Sequence, residues 1–423
     1  MQRILLKEYG DPVYLRMDPY ELSLFEESNK YWKSKLQLPR YPFRTQQIDK
    51  DLFEVRAEGV TGIIKIGSFD FEIKPKFIGN SDKWQIVLWK ILSLVDRGAL
   101  DKNFTSAKDN NDYSLLELLV DVFLNSFAKG SIRGLPLGYN THSAKGFELK
   151  GTFDQSRIVE WVNQPWELPY LVDNLSEDTL LTRLLRWTTL QLMTLTSSAT
   201  QLKSLQAVLI RLGKISIIKP SIVEVRKIKL GVQYKELEQA LSIGLILLEN
   251  SGLGYGQSKK LISGFLWNSD KIYEKFVFLI CSKAAKKLQL QTSKDSYKYG
   301  TVISDSGPSL ETIPDIVFEN REDKKIAVAD AKYKVYKSRP NSADVYQILA
   351  ACHVLGVKRG SLIYPVYEDK NYITWNIESK IGGEDVTLTM LPLNLMALEV
   401  ENGLMKLIDS IASWVTHKES VNN

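Results

Sequence analysis

The chain has 423 residues, a length typical of two or three domains. Apolar residues make up 44% and charged residues 25%, so the chain has enough apolar side chains for sizeable cores. A net charge of +5 permits a nucleic-acid partner without requiring one. No apolar run is long enough for a signal peptide or a membrane helix, which argues against a secreted or membrane-spanning protein.

Residues 1–110 are predicted to form an N-terminal mixed α+β domain rich in β-structure. Asp18 and Pro19 are typical of a helix start, an N-cap followed by a first-turn proline, and predict a helix over 18–38. Apolar and polar residues then alternate across glycine breaks in 51–77, which predicts a small antiparallel meander.

Residues 111–230 are predicted to form a helical middle region. Strong helical patterns cover 113–129 and 174–198, and a glycine-rich, hairpin-like segment lies between them at 130–154. Two arginines three residues apart in the second helix project to one face.

Residues 231–423 are predicted to form a third domain. The predicted order from residue 265 is helix, strand, strand, helix, strand, ending with the apolar strand RGSLIYPV at 359–366. A glycine-rich stretch at 252–260, GLGYGQSKK, lacks the spacing of a phosphate loop, so we expect no nucleotide site there.

The cysteines and histidines indicate the cellular compartment and exclude one kind of metal site. The two cysteines, Cys281 and Cys352, lie in apolar helical patterns, so we expect no disulfide framework and a cytoplasmic protein. The three histidines lie far apart in the sequence, which excludes a Cys/His zinc motif.

Three charged residues interrupt an apolar hairpin, IPDIVFENREDKKIAVADAKYKVYK at 313–337. Asp315 begins the first strand, just after a proline. Asp330 and Lys332 lie on one side of the second strand, because side chains alternate along a strand. The charged turn allows an antiparallel pair, so we expect the two carboxylates to approach each other and to repel.

Two adjacent carboxylates favour a divalent cation, since it relieves their repulsion and the cost of burying them. Mg²⁺, with Mn²⁺ as a substitute, suits this set because it binds one or two carboxylates plus waters and phosphate oxygens. The Ala331 carbonyl and the Glu274 carboxylate, on the preceding helix, are further candidate ligands. Lys332 would orient or deprotonate a water and stabilise a phosphorane-like transition state, which favours phosphodiester hydrolysis.

A plainer interpretation remains open at this point. Pro-Asp often starts a turn, and Asp-x-Lys at a strand end is commonly an exposed ion pair. Glu274 could instead pair with Lys271, three residues back on the same helix. The motif would then have no catalytic role, and the chain would be a structural protein.

The pattern of Pro-Asp followed by Asp-x-Lys resembles the PD-(D/E)xK nuclease motif. The longer set GFLWNSDKIYEKFV, PDIVFE, VADAKYK and DVYQILA resembles McrC, the nuclease subunit of McrBC-type and LlaJI-type restriction systems. Upstream, IKIGSFDFEIKPKF, with Pro75 and Lys76, and SIRGLPLGYN, with Arg133, resemble the same family.

The resemblance implies an α+β or α/β fold class with a C-terminal PD-(D/E)xK restriction-endonuclease-like domain, whose mixed central sheet is flanked by helices. It implies Mg²⁺-dependent DNA cleavage by Asp315, Asp330 and Lys332, with Glu274 and Gln347 as accessory residues. It also implies a role in phage defence and a partner, a McrB-like hexameric AAA+ GTPase that the chain caps and stimulates.

Basic residues are the candidates for contacts with DNA and with the motor. Lys334, Lys337 and Arg339 follow the Asp-x-Lys strand and would meet phosphates of double-stranded DNA. Arg183 and Arg186, in the middle region, are candidates for stimulating the motor. Both sets could equally be solvated surface charges. An alternative function also stays open, a non-catalytic adaptor that activates the motor and binds DNA.

Overall fold

The computed structural model describes residues 2–78, 83–97, 114–250, 262–300, 310–378 and 385–416. In these ranges the chain has a mixed α/β fold and divides into two compact units. The first unit joins Met1–Leu115 to Gly252–Asn423, and the second is Leu116–Ser251. The first and third predicted segments therefore belong largely to one unit, and the stretch at 252–260 lies outside the described residues.

Two small sheets and one long helix form the N-terminal part of the first unit. A four-stranded sheet has the order β1-β6-β5-β10, and a three-stranded sheet has the order β2-β4-β3. The strands are β1 (Gln2–Lys7), β2 (Val13–Arg16), β3 (Phe43–Gln47), β4 (Leu52–Ala57), β5 (Val60–Ile66), β6 (Phe69–Lys74) and β10 (Ile262–Asn268).

Helix α1 (Pro19–Leu36) covers these sheets, and its start agrees with the prediction. Asp18 caps it in a capping box with Glu21, which satisfies two backbone N–H groups at the helix start. A buried aromatic cluster fills the space beneath, with Phe25, Phe43 and Phe71 in mutual ring contact. Burial of such rings is the main stabilising term for this core.

Strand β10 links the distant parts of the first unit. It pairs antiparallel with β5, Phe265 opposite Ile63, although the two strands are far apart in the sequence. Gly62 and Gly264 lie in this pair with positive φ of 135° and 149°, where a Cβ atom would meet the opposing backbone. The backbones of β5 and β10 approach each other closely at these glycines.

A six-stranded mixed sheet forms the remainder of this unit. Its order is β11-β14-β15-β16-β18-β17, with β15 parallel to β16 and β16 parallel to β18. The hairpin predicted over 313–337 is present as β14 and β15. The strands are β11 (Gln291–Ser293), β14 (Ile316–Glu319), β15 (Lys325–Ala331), β16 (Arg359–Val366), β17 (Ile373–Ile377) and β18 (Val386–Asn394), beside a separate pair β12 (Tyr297–Gly300) and β13 (Leu310–Thr312).

Helices pack on this sheet. α10 (Ser342–Leu355) begins at the N-cap Asn341 and buries Ile348 and Cys352 against Val328 and Leu362 of the sheet. The other helices of the unit are α2 (Trp84–Arg97), α9 (Ser269–Lys287) and α11 (Gly403–Thr416). Among the described helices, none combines the length and the apolar character that a membrane crossing requires.

The second unit is mostly helical. Its elements are α3 (Leu115–Gly130), β7 (Gly138–Gly146), β8 (Thr152–Phe153), α4 (Ile158–Asn163), β9 (Leu168–Ser176), α5 (Leu180–Leu195), α6 (Ala199–Arg211), α7 (Ile222–Val225) and α8 (Glu238–Asn250). The segment 130–154 does not pair with itself as the hairpin prediction required. β7 and β8 instead lie on either side of β9, because the longer complementary strand follows later in the chain.

Candidate active site

The two predicted carboxylates face each other across a strand pair. β14 and β15 pair with Ile316 opposite Ala329, so one further step in the same register places Asp315 opposite Asp330. Asp330 is only 2% exposed. The N–H of Ala331 donates a hydrogen bond to Asp315 Oδ2 at 3.0 Å, which holds this carboxylate at the strand end.

Burial and the neighbouring Asp315 carboxylate change how Asp330 ionises. Burial, together with the hydrogen bond and the negative charge of Asp315, raises the pKa of Asp330 to about 7, while the Lys332 ammonium opposes the shift. Two carboxylates in contact resist double ionisation in a buried place. The pair therefore favours a proton or a metal cation between its oxygens.

Lys332 completes the predicted group and is fixed by α10. Its Nζ forms an ion pair with Asp330 Oδ2 and donates a hydrogen bond to Gln347 Oε1 at 2.9 Å. The same Nζ lies 3.7 Å from Asp344 Oδ1. The structure therefore brings together Asp330, Lys332 and Gln347, as the sequence predicts, and adds Asp344.

The polar atoms at these strand ends suit a magnesium ion. Asp330 Oδ2 is buried and, although it forms the ion pair with Lys332, it has no hydrogen bond of good geometry. Each carboxylate oxygen has two lone pairs, so Asp315 can bind a cation while it accepts from Ala331. Across the described ranges, no three acidic, histidine or cysteine side chains are grouped to hold a metal ion. Two carboxylates completed by water and phosphate oxygens need no third acidic side chain, and Mg²⁺ binds such a set of ligands.

Lys294 joins the site although no motif contains it. It lies between β11 and β12, and its Nζ donates hydrogen bonds to Glu274 Oε1 and, at 3.2 Å, to Asp315 Oδ1. Partial burial lowers the pKa of Lys294, but the bonds to Glu274 and Asp315 outweigh it, so the pKa lies above its usual value. Glu274 is thus paired with Lys294, while the Nζ of Lys271 donates to Gln37 Oε1 at 2.7 Å. The alternative pairing of Glu274 with Lys271 is wrong.

The family of the chain follows from its sequence match. The family model described as "McrBC 5-methylcytosine restriction system component" matches residues 55–365, which is most of the chain. The chain belongs to this McrBC family. The match confirms the predicted resemblance to McrC-type restriction proteins. No curated protein matches the chain.

Solved structures give a second comparison for this McrBC-family chain. One, described as a refined half-complex from a tetradecameric assembly of Thermococcus gammatolerans McrB AAA+ hexamers with bound McrC, matches with a TM-score of 0.63 and 16% identity. That match covers 97% of this chain and 100% of the other, so the two share a fold. A second, the cryo-EM structure of the Thermococcus gammatolerans McrBC complex, matches with a TM-score of 0.45 and 16% identity over 67% of this chain and 88% of the other.

The McrBC-family chain has a cleft with several basic residues on the side of Lys332 where Asp344 lies. The predicted DNA-contacting residues Lys334, Lys337 and Arg339 line it, and so does Lys76, which sequence reasoning did not single out for this role. The cleft has a volume of about 340 Å³. Asp344 also lines the cleft, and the Nζ of Lys334 donates to both of its oxygens at 2.8 Å. Asp344 therefore partly neutralises Lys334, and the contact of Lys334 with DNA stays a prediction.

A buried acid lies behind the site, again unpredicted. Glu8, directly after β1, accepts a hydrogen bond from the hydroxyl of Tyr333, the residue after Lys332. Burial raises the pKa of Glu8 to about 7, although Lys76 opposes the shift. The Lys76 ammonium lies 3.8 Å from the centre of the Tyr333 ring, and Phe77 packs edge-on against that ring. The chain after Lys332 is therefore held by N-terminal residues.

The two arginines predicted to contact the motor have partners within their own unit. Arg183 forms a bidentate pair with Asp178, at 2.8 and 3.0 Å, and lowers the pKa of that carboxyl to about 2. Arg186 Nη1 donates to the carbonyl oxygens of Leu212 and Gly213, each at 3.1 Å, and of Ile215. Both side chains thus fasten α5 to neighbouring loops, and a role in motor contact stays a prediction.

Proposed function

We propose that the chain is the Mg²⁺-dependent DNA endonuclease subunit of a motor-driven, McrBC-like restriction system. It would hydrolyse phosphodiesters of double-stranded DNA through a C-terminal PD-(D/E)xK domain. The carrying observation is that Asp315 and Asp330 oppose each other on neighbouring strands with the Lys332 amine beside them. Two free, buried cysteines agree with a cytoplasmic location.

Each residue of the site has a separate task in this proposal. Asp315, Asp330 and the Ala331 carbonyl would hold the metal ion, which supplies charge neutralisation and a more acidic water when bound. Lys332 places a positive charge beside the scissile phosphate and stabilises the charge that develops there. Gln347 orients Lys332 through its hydrogen bond of 2.9 Å, so the amine does not swing into solvent.

The cleft lined by basic residues gives the DNA backbone a place to bind. Lys76, Lys337 and Arg339 line it together, and its wall includes Asp344, which also approaches Lys332. Phosphate contacts of this kind position a duplex without reading its sequence. The proposal therefore assigns positioning, but no sequence recognition, to this surface.

The second unit would carry the contact with a McrB-like hexameric AAA+ GTPase, which the chain would stimulate. The structural relative named above is described as bound to McrB hexamers, which supports such a partner. The unit exposes large apolar side chains on β7, α4 and β9 and in the adjoining loops. A cluster of this kind is typical of a protein-binding surface. It includes Tyr139, Phe147, Val159, Val162, Trp166 and Leu175, all more than half exposed.

A cleavage assay tests the proposed function. The purified chain, a McrB-like motor, GTP and Mg²⁺ should together cut double-stranded DNA, and Asp330→Ala should abolish cutting while assembly with the motor survives. Asp409→Ala is the matched control, because Asp409 forms only a surface ion pair with Lys287. Cutting by Asp330→Ala at the wild-type rate would refute the site. Stimulated GTP hydrolysis by a wild-type chain that never cuts DNA would favour the adaptor function.

A further inference from the structure

Lys294 lies between the carboxylates of Glu274 and Asp315, at the edge of the candidate metal site. Its Nζ touches Glu274 Oε1 and is 3.2 Å from Asp315 Oδ1, so one ammonium bridges the two carboxylates. Metal pairs in two-metal nucleases lie about 3.5–4 Å apart and share a carboxylate between them. Asp315 is the carboxylate that both cations would have to share here.

The positive charge of Lys294 is held in place on both sides. The lysine directly follows β11, whose last residue, Ser293, pairs with Val317 of β14, two residues from Asp315, so the sheet anchors the backbone next to Lys294. Glu274 projects from α9, which also packs on this part of the sheet. The Lys294 side chain is 39% exposed, so the ammonium reaches the site from the solvent side.

We propose that Lys294 takes the place of a second divalent cation between Glu274 and Asp315, so that the site holds a single metal ion. The metal position is then the one bounded by Asp315, Asp330 and the Ala331 carbonyl. Glu274 serves to hold Lys294 and is not a metal ligand. The proposal rests on the proposed function, since it presupposes a metal-dependent site.

The ammonium between Glu274 and Asp315 disfavours a second ion at that place. In the part of the chain that the structure describes, Glu274, Asp315 and Asp330 are not grouped as three ligands of one ion. A second divalent cation at Glu274 would lie against the Lys294 ammonium, and two cations in such contact repel strongly. Removing the ammonium leaves two carboxylates facing the same space, a suitable weak site for a metal.

Metal stoichiometry tests this proposal without any measurement of cleavage. The full chain is titrated with Mn²⁺ by calorimetry, and the loaded protein is examined by electron paramagnetic resonance. The wild-type chain should bind one Mn²⁺ with the hyperfine pattern of an isolated ion, and Asp330→Asn should lose it. Lys294→Met should bind two ions, and their spectrum should show spin coupling. Glu274→Gln should keep the first ion.

Two matched variants separate charge from packing. Lys294→Arg keeps a cation and should bind one ion, as the wild type does. Lys275→Met removes an exposed neighbouring charge on α9 and should also leave the count at one. A thermal unfolding curve of each variant shows that it is folded before metal is added.

The outcomes distinguish this proposal from the proposed function. A coupled Mn²⁺ pair in the wild-type chain would overturn the role of Lys294 and leave a metal-dependent nuclease intact. A single ion in Lys294→Met would also overturn it. If the wild-type chain binds no Mn²⁺, or if Asp330→Asn binds Mn²⁺ as tightly as the wild type does, the role of Lys294 and the proposed function are both overturned.

Discussion

The hydroxyl of Tyr333 donates a hydrogen bond to the buried carboxylate of Glu8, two residues that are 325 positions apart in the chain. Tyr333 directly follows Lys332, and Glu8 directly follows β1, the first strand of the N-terminal sheet. The end of the candidate catalytic strand is therefore anchored on the N-terminal part of the same compact unit. We therefore expect the N-terminal segment to help position the chain that follows Lys332.

Removal of the Tyr333 hydroxyl should destabilise the first unit. In Tyr333→Phe the buried Glu8 carboxylate keeps the backbone N–H of Lys76 at 3.2 Å but loses the hydroxyl donor. The expected cost of this one hydrogen bond is about 0.5–1.5 kcal/mol in the free energy of unfolding. Tyr336→Phe is the matched control, since its hydroxyl donates to the Asn371 carbonyl at 2.8 Å in an exposed place. Urea unfolding measures both, and equal losses would contradict the anchoring role.

Glu8→Gln should change how stability depends on pH. Burial raises the pKa of Glu8 from 4.5 to about 7, with Lys76, Tyr333 and Ser269 as opposing neighbours. A carboxyl with a raised folded-state pKa stabilises the fold below its unfolded pKa, and this contribution is lost as pH rises through the folded pKa. Wild-type stability should therefore fall by about 3 kcal/mol between these two pKa values because of Glu8 alone.

Glu8→Gln has no carboxyl to titrate at this position. Its free energy of unfolding, relative to that of the wild type, should therefore rise from about pH 4 to about pH 8. Urea unfolding at both pH values measures the change. Glu322→Gln, at an exposed turn, is the control and should leave the pH dependence as it is. A Glu8→Gln chain whose pH dependence equals that of the wild type would refute the raised pKa.

Lys332 and Lys334 should differ sharply in their effect on cleavage. Lys332→Met removes the amine beside Asp330, and we expect a loss of about 10²–10³-fold in the cleavage rate. Lys334→Met removes a cleft charge that Asp344 already neutralises, so its main effect should be a small loss of DNA affinity. Rates at saturating DNA, with filter binding at several salt concentrations, separate the two. Equal rate losses would contradict the assignment of Lys332.

Arg186→Met should destabilise the second unit. The guanidinium satisfies carbonyl oxygens just beyond α6, and a lost hydrogen bond to a charged group costs about 1.5–3 kcal/mol. Arg211→Met, at the exposed last residue of α6, should lower the free energy of unfolding far less. Thermal unfolding gives the comparison. If both variants unfold at the wild-type temperature, Arg186 has no structural role and motor contact becomes its better explanation.

Local patterns in the sequence predict the elements that carry the site. The alternation around Asp315 and Asp330 predicts β14 and β15, and the capping signal at Asp18 and Pro19 predicts the start of α1. The placement of Gln347 near Lys332 also follows from a helix pattern after the hairpin. These features depend on spacing over short stretches, which sequence periodicity reports directly.

Long-range features were not predictable in the same way. Lys294 lies in a segment without a motif. Glu8 accepts its hydrogen bond from Tyr333, which lies 325 positions away in the sequence. The pairing of β10 with β5, which joins the predicted first and third segments, depends on the tertiary fold. Pairing of β7 with β9 instead of β8 was missed for the same reason. A single sequence carries no signal for which distant strands meet.

In the proposed mechanism, Asp315 and Asp330 together bind the cation that activates a DNA phosphate. Crystals of the chain with a DNA duplex and Mn²⁺, measured for anomalous scattering, test this most directly. We expect an anomalous peak in coordination contact with both carboxylates, beside Lys332. Crystals that contain DNA at this site but show no peak between the two carboxylates would contradict it.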